Sequence, residues 1–532
     1  MKSFPPEQAR NAAGKILSRR RVAGAIERFT RGLGPTLLFG FVAHVGVAVI
    51  GMLAIPFYLS LMGVEAYGLV GFYFILQGWM LLFDMGLGPA LGRQLSRYRA
   101  GSLSADDAAS LFGTAETVFL IGGLAAGVVF YFSMGWVARH WLGPSQLQTN
   151  QVNGALRLAG LLLVFRWLAG VYQTALVGLE RQIAVNAVAL LGAVARNGGA
   201  VAALILVSHS PTMFFGVWTG VTLIEVVANR LLLLREMPRA RIQWRSGWRL
   251  LTREFNFAMG LTFAMAINFT IGQADKATLS HTLTLGAFGV FTLVVSICAG
   301  ITMVVPPMVQ SFQPRLTTLL AQNRRAEFVD VYRLSIALII VVAAGVAGTI
   351  AARPELVVYA WTGDREIARS LAPTLTFFAI GSGISSFLFL PYVLQFSQGL
   401  IRLHLIGNLL FAAIWVPAAI WASLMFGTVG AGIVWLCGNL LFLVLWVPVI
   451  HRRLLSPEER HGLGPQAWWR VALLAGLLAT TRLIAADTFD RLQSLALLAA
   501  ISAAIMAIAT ISSRELRNHF LVIVGGSSAG SQ

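Results

Sequence analysis

Arg166 and Arg196 sit near the middle of long apolar runs, and Glu225 lies somewhat past the middle of the next run. An arginine at such depth costs about 2.5–3.5 kcal/mol on insertion scales, so it needs a partner or water. Glu225 has the charge to neutralise one of the two arginines as a buried ion pair, but not both. One positive charge is left over, and fixed positive charge in a wet cavity suits an anionic cargo. Arg157, near the outer end of the same run as Arg166, is grouped with these three as a candidate cavity residue, although it also lies within reach of the interface. A second set is acidic: Asp84 at the end of one run, Glu116 in the inner third of another, and Asp275 beside Lys276 at the outer end of a third. These are candidate ion-coupling residues for a proton or a sodium ion. An interfacial Asp275–Lys276 pair is the structural alternative.

The elements that must hold these charges are membrane helices. The chain has 532 residues, 57% hydrophobic and only 12% charged, with a mean hydropathy of +0.75. That composition excludes an ordinary soluble fold. The net charge of +18 has a plain source: Lys and Arg gather in the loops of one face, as the positive-inside rule requires. No nucleic-acid partner is expected. Cys298 and Cys437 both fall inside apolar runs, so neither a disulfide nor a metal site follows from them. No His/Cys cluster, phosphate loop or nucleophile elbow occurs, and no cofactor is expected.

Hydropathy gives about fourteen transmembrane helices in an all-α polytopic membrane protein, with both termini cytoplasmic. The expected organisation is a basic cytoplasmic arm (1–34), an N-lobe of six spans (35–234), a basic cytoplasmic linker (235–254), a C-lobe of six spans (255–450), an extra span pair (451–512) and a cytoplasmic tail (513–532). The external segment from Arg353 to Arg369 is the longest outer loop. Tyr67, Phe72, Tyr73, Trp79 and Trp167 have the chemistry to stack on sugar rings, with packing or an aromatic belt as the commoner use.

A pattern recurs once. Ala66-Tyr67-Gly68 precedes a long apolar span that exits through Gly86, Gly88 and Pro89 to a basic segment. Ala287-Phe288-Gly289, offset by 221 residues, precedes a second span that exits through Pro306 and Pro307. Six spans separate the copies, so they share one orientation, and the pseudo-symmetry axis runs along the membrane normal.

The runs Gly63-Val64-Glu65-Ala66-Tyr67-Gly68 and Phe83-Asp84-Met85-Gly86-Leu87-Gly88-Pro89-Ala90-Leu91 resemble the opening of bacterial polysaccharide transporters. So do Gln273-Ala274-Asp275-Lys276, Gly286-Ala287-Phe288-Gly289, Pro314-Arg315-Leu316 and Gly178-Leu179-Glu180-Arg181-Gln182. These are the O-antigen (Wzx-type) flippases of the multidrug/oligosaccharidyl-lipid/polysaccharide flippase superfamily. The resemblance covers roughly residues 35–450, and its motifs are loose. It implies two six-helix lobes around a central cavity, alternating access, an undecaprenyl-pyrophosphate-linked oligosaccharide as cargo, and coupling to a proton or sodium gradient in the bacterial inner membrane. It implies membrane lipids and polysaccharide polymerase or assembly proteins as partners. The family has no fixed catalytic motif, so the implied role is "cavity charge" for Arg166, Arg196 and Glu225, more weakly for Asp84, Asp275 and Lys276. The extra pair brings in the lipid II flippases. A multidrug/cation antiporter is a second alternative and a membrane-bound polymerase or ligase a third; no enzymatic activity is expected.

Overall fold

The computed structural model describes residues 39–83, 86–142, 147–238, 240, 243–253, 255–460, 489–513 and 516. The expected arm (1–34), Asp84, residues 461–488 of the expected extra span pair (451–512) and most of the tail lie outside the described residues. The described chain is helical, with no β-strand among those residues. Its elements are α1 (Phe39–Met62), α2 (Val64–Phe83), α3 (Leu87–Arg99), α4 (Ala105–His140), α5 (Thr149–Gly178), α6 (Gln182–Leu206), α7 (Pro211–Glu236), α8 (Trp244–Arg253) and α9 (Phe255–Thr282). They continue with α10 (Leu285–Ala321), α11 (Arg325–Ala352), α12 (Pro354–Thr362), α13 (Arg365–Ser397), α14 (Ile401–Leu441), a π-helical turn (Phe442–Trp446), α15 (Val447–Leu454), α16 (Pro457–Arg460) and α17 (Arg491–Ser512).

Among the described residues ten helices are long and apolar enough to cross a membrane, counting Arg402–Leu454 as one. The chain is a multi-pass membrane protein. Helices are the form such runs must take, because hydrocarbon offers no partner for a free N–H or C=O. Local sequence sets their ends. The side chains of Ser104, Ser210 and Thr284 cap α4, α7 and α10 by accepting from Asp107 N, Met213 N and Ala287 N, which satisfies one orphan donor each. Pro211 and Pro354 sit in the first turns of α7 and α12, where their missing N–H costs nothing. Gly86, with φ of 68°, separates α2 from α3, and Gly427, with φ of 58°, turns the chain inside α14.

α5 packs on α2, α3, α4 and α7, and α6 packs on α7. In the second half α13 packs on α10, α11, α12 and α14, while α9 packs on α14. The halves meet along α2 and α10. There a continuous core runs through Tyr67, Tyr73, Phe214, Phe215, Phe291 and Phe378. α17 lies against α11 and α12.

Three expectations change. The second span, expected at about 67–91, is shorter: α2 stops at Phe83, and Arg93, Arg97 and Arg99 ride on the separate α3. The segment 235–254 is not a plain linker, since α8 docks Gly247 and Leu251 against α4 and Ser246 donates to Asp107 Oδ1 at 2.7 Å. The outer segment 353–369 is not a loop throughout, because it folds into α12 and the first turn of α13.

Candidate functional site

The three deep charges converge. Arg166 comes from α5, Arg196 from α6 and Glu225 from α7. The Arg196 guanidinium donates through Nη1 to Glu225 Oε1, and Arg166 Nη1 donates to Glu225 Oε2 at 3.5 Å. One carboxylate bridges two guanidinium groups, so the cluster keeps one net positive charge. The members differ in exposure. Side chains of Arg196 and Glu225 are 5% and 4% exposed, whereas Arg166 is 27% exposed and its Nε has no hydrogen-bond partner among the described residues. The pair Arg196–Glu225 is therefore structural in character, and Arg166 is the member with an open edge.

The neighbours explain how the cluster is built. Gly192 precedes Arg196 by one helical turn on the same face of α6. A Cβ there would fall on the Glu225 carboxylate, so only glycine lets α7 bring that carboxylate to α6. Asn229, one turn after Glu225, donates through Nδ2 to the Glu225 backbone carbonyl at 2.9 Å. Tyr58 of α1 donates to Asn197 Oδ1 at 2.9 Å, and Asn197 Nδ2 donates to Ala193 O at 2.8 Å. Gly192, Asn197 and Asn229 are missed by a search for charge. The i,i+4 spacings Gly192–Arg196 and Glu225–Asn229 are the signals that place them beside it.

The remaining candidates lie elsewhere. Arg157 does not join the cluster. It sits nine residues earlier on α5, about 13 Å along the axis, with its guanidinium 4.6 Å from the Tyr131 ring centroid. Glu116 accepts from Arg230 Nε at 2.6 Å and from Tyr172 Oη at 2.9 Å. Arg230, on α7, thus pairs with the Glu116 carboxylate of α4. Asp275 and Lys276 stay together on α9. Lys276 Nζ donates to Gly272 O at 2.6 Å and to Asp275 Oδ1 at 3.2 Å. Asp275 is fully buried, and its Oδ2 has no partner among the described residues.

For three of the aromatics, packing, the commoner use, is what the structure shows, and sugar stacking falls away. Tyr67, Phe72 and Tyr73 are all buried in the core, packed too tightly to meet a sugar ring. Trp79 lies edge-on to Phe269 and Trp167 edge-on to Phe119, with centroids 5.1 Å and 5.2 Å apart.

No family model and no curated relative matches the sequence. Solved structures do match. The lipid II flippase MurJ in an inward closed conformation superposes with a TM-score of 0.64 at 13% identity, covering 89% of this chain and 97% of that one. The MATE multidrug transporter DinF-BH gives 0.60 at 17% identity, covering 79% and 95%. An inward-facing multidrug resistance MATE family transporter of the MOP superfamily gives 0.58 at 15% identity, covering 78% and 98%. The fold is that of MOP-superfamily transporters. Within this MOP fold the Arg166–Glu225–Arg196 cluster belongs wholly to the first half of the chain, and Asp275–Lys276 to the second.

Proposed function

We propose that the chain is a flippase that moves a lipid-linked oligosaccharide, of the undecaprenyl-pyrophosphate type, across the bacterial inner membrane by alternating access. The observation that carries this reading is the net positive charge of the Arg166–Glu225–Arg196 cluster, placed along three apolar helices with Arg166 partly exposed. A pyrophosphate head needs positive charge there, while its lipid tail stays in the hydrocarbon. Residues 35–234 and 255–450 act as the two lobes, and residues 451–512 as an added pair. Both termini face the cytoplasm. Asp275 and Lys276 are the proposed place for gradient coupling by a proton or sodium ion, because a buried carboxylate oxygen without a partner is a costly state that a cation relieves. A polymerase or assembly protein would take up the exported glycan.

A lipid II flippase is the second reading. MurJ superposes on 89% of this chain, against 79% and 78% for the two MATE transporters. A multidrug antiporter is disfavoured, since a cationic drug would meet a net positive cluster. The test is flipping in proteoliposomes with a fluorescent polyprenyl-pyrophosphate oligosaccharide, with and without a pH gradient. The expected result is transfer by the wild type and loss of transfer in Arg166→Gln at equal folded protein. Full transfer by Arg166→Gln would overturn the assigned role, and efflux of cationic dyes in its place would establish the antiporter.

A further inference from the structure

We infer that the cleft between α12 and the start of α13 is a binding site for a phosphate-type oxyanion, separate from the buried cluster and independent of the flippase reading. The cleft has a volume of about 400 Å³ and is lined by Arg353, Glu355, Tyr359, Arg365, Arg369 and Thr376, among others. Three guanidinium groups border it against one carboxylate, Glu355.

Two features set this cleft apart from a chance gathering of surface arginines. The first is its place in the charge pattern. α11, α12 and α13 put it on the opposite face from the arginine-bearing α8, by the alternation of the connecting helices. On the orientation read from charge this is the external face, where the positive-inside rule disfavours arginine. Three in one short outer segment are an exception that orientation does not explain. The second is the frame. Arg365 lies over Tyr359 with its guanidinium carbon 4.1 Å from the ring centroid, and its Nη2 donates to Phe489 O at 2.8 Å. Arg491 Nη2, at the start of α17, donates to Trp361 O at 2.8 Å. α12 and α13 are thereby tied to α17 from both sides, and the arginines start from a fixed scaffold. Pre-organised donors of this kind bind anions with less ordering cost.

The helix ends add little to it. Asp364 caps α13 by accepting from Glu366 N and Ile367 N at 2.8 Å and 3.0 Å, so that end is neutralised within the protein. α12 has no side-chain cap, but Pro354 and the acidic Glu355 occupy its first turn, so the anion-binding character of the cleft rests on its arginines rather than on that helix end. Arg369 is exposed and has no ion pair among the described residues, which leaves its fork of donors for a ligand. Arginine presents that fork in a shape that matches phosphate oxygens two at a time.

The ligand class is a phosphate-bearing group, and two sources supply one on this face: the headgroup of an anionic phospholipid, or a soluble or glycan-borne phosphate. Calorimetric titration of the full-length protein with inorganic pyrophosphate, in phosphatidylcholine nanodiscs at low salt, tests the site. Saturable binding is expected. Arg369→Gln, an exposed position that leaves the fold intact, should weaken it by about tenfold or more, the size of one lost charge-assisted hydrogen bond. In Arg166→Gln the Arg369-dependent binding should persist even where binding at the buried cluster is lost, which separates the cleft from that cluster. Nanodiscs containing phosphatidylglycerol distinguish the sources. Weakened pyrophosphate binding there means that a lipid headgroup occupies the cleft, and unchanged binding means a soluble or glycan-borne phosphate; either supports the site. No saturable binding, or equal binding by the wild type and a folded Arg369→Gln, overturns it.

Discussion

A Cβ placed on Gly289 would stand 3.1 Å from the backbone nitrogen of Gly68 and would collide with the Val64 carbonyl oxygen. Across the same contact, a Cβ on Gly68 would strike the Leu285 carbonyl oxygen. These are the glycines of the two repeated triplets, Ala66-Tyr67-Gly68 and Ala287-Phe288-Gly289. The two occurrences of the recurring pattern thus meet, glycine against backbone, where α2 packs on α10. Close backbone approach through small residues is the ordinary way for membrane helices to gain packing energy.

Gly289→Ala should push α2 and α10 apart, because the atoms it meets are backbone and cannot rotate away. Overpacking of this kind costs about 1–3 kcal/mol. Gly286→Ala, three residues earlier with open space around it, should cost little. Thermal unfolding in detergent separates the two. Equal midpoints for both variants would show that the crossing is not tightly packed.

Gly192→Ala places its methyl on the Glu225 carboxylate and should break the buried pairing with Arg196. Loss of one partner from a buried pair costs about 3–5 kcal/mol. Gly198→Ala, on the same helix with nothing within 4 Å, should be neutral or stabilising by up to about 1 kcal/mol through helix propensity. The comparison uses one helix and one chemical change. A stable Gly192→Ala protein would mean that Glu225 has another place to go.

Glu225→Gln and Arg166→Gln should separate stability from transport. The first leaves two guanidinium groups with no counter-charge and should lower stability by about 3–5 kcal/mol. The second removes the partly exposed member and leaves Arg196–Glu225 intact, so stability should hold while flipping is lost. Unfolding midpoints and proteoliposome transfer, measured on the same preparations, give both readouts. Loss of stability in Arg166→Gln with transfer retained would reverse the assignment.

At the far end of α11, Arg325 donates through Nε to Glu459 Oε1 at 2.7 Å and through Nη2 to Oε2 at 3.2 Å, clamping α16 to α11. The Arg325 hydrogen bonds hold the Glu459 carboxyl below its ordinary value. A carboxyl whose folded pKa is lowered adds stability above the unfolded value, about 4.3. That stability is lost as pH falls through the lower, folded pKa. Protection of residues 456–460 from hydrogen exchange, corrected for intrinsic rates, should be full at neutral pH and fall only in acid. Glu459→Gln should lack the protection at every pH. Identical acid profiles for the wild type and Glu459→Gln would rule out the clamp.

Gly247 seats α8. A Cβ there would meet Thr114 Oγ1 and the Ser110 carbonyl, so Gly247→Val should lift α8 from α4. Trp244 and Trp248 are already exposed, so the sensitive readout is proteolysis within 243–253, which should speed up several-fold. An unchanged cleavage rate would show that α8 is held by its neighbours in sequence alone.

Much of this was legible in the residues. Length of apolar run and charge between runs place most of the helices, and Arg166, Arg196 and Glu225 declare themselves by the cost of their depth. Helical phase was not legible. In a membrane helix the core face and the cavity face are both apolar and aromatic, so a sugar platform stays open for Tyr67 and Tyr73 beside the commoner packing reading, and they are core. Nor did depth alone group the charges: Arg157 shares a helix with Arg166 but turns to Tyr131, and Glu116 is claimed by Arg230 from a helix far away in sequence. α8 was hidden for another reason. Its Trp-Arg-Ser-Gly-Trp-Arg stretch is too polar for a span, and a segment between spans reads as loop unless its own i,i+4 repeat is weighed.

Glu225 has one further consequence. On the proposed function, it is a resident competitor for whatever anion approaches Arg166. The incoming group need only displace the stretched 3.5 Å contact, since the tighter hold of Arg196 keeps the carboxylate in place. Binding would then be an exchange of one anion for another, and release would not expose a bare cation to the hydrocarbon. The carboxylate would lower the affinity the site can reach and, by the same amount, ease the departure of a cargo.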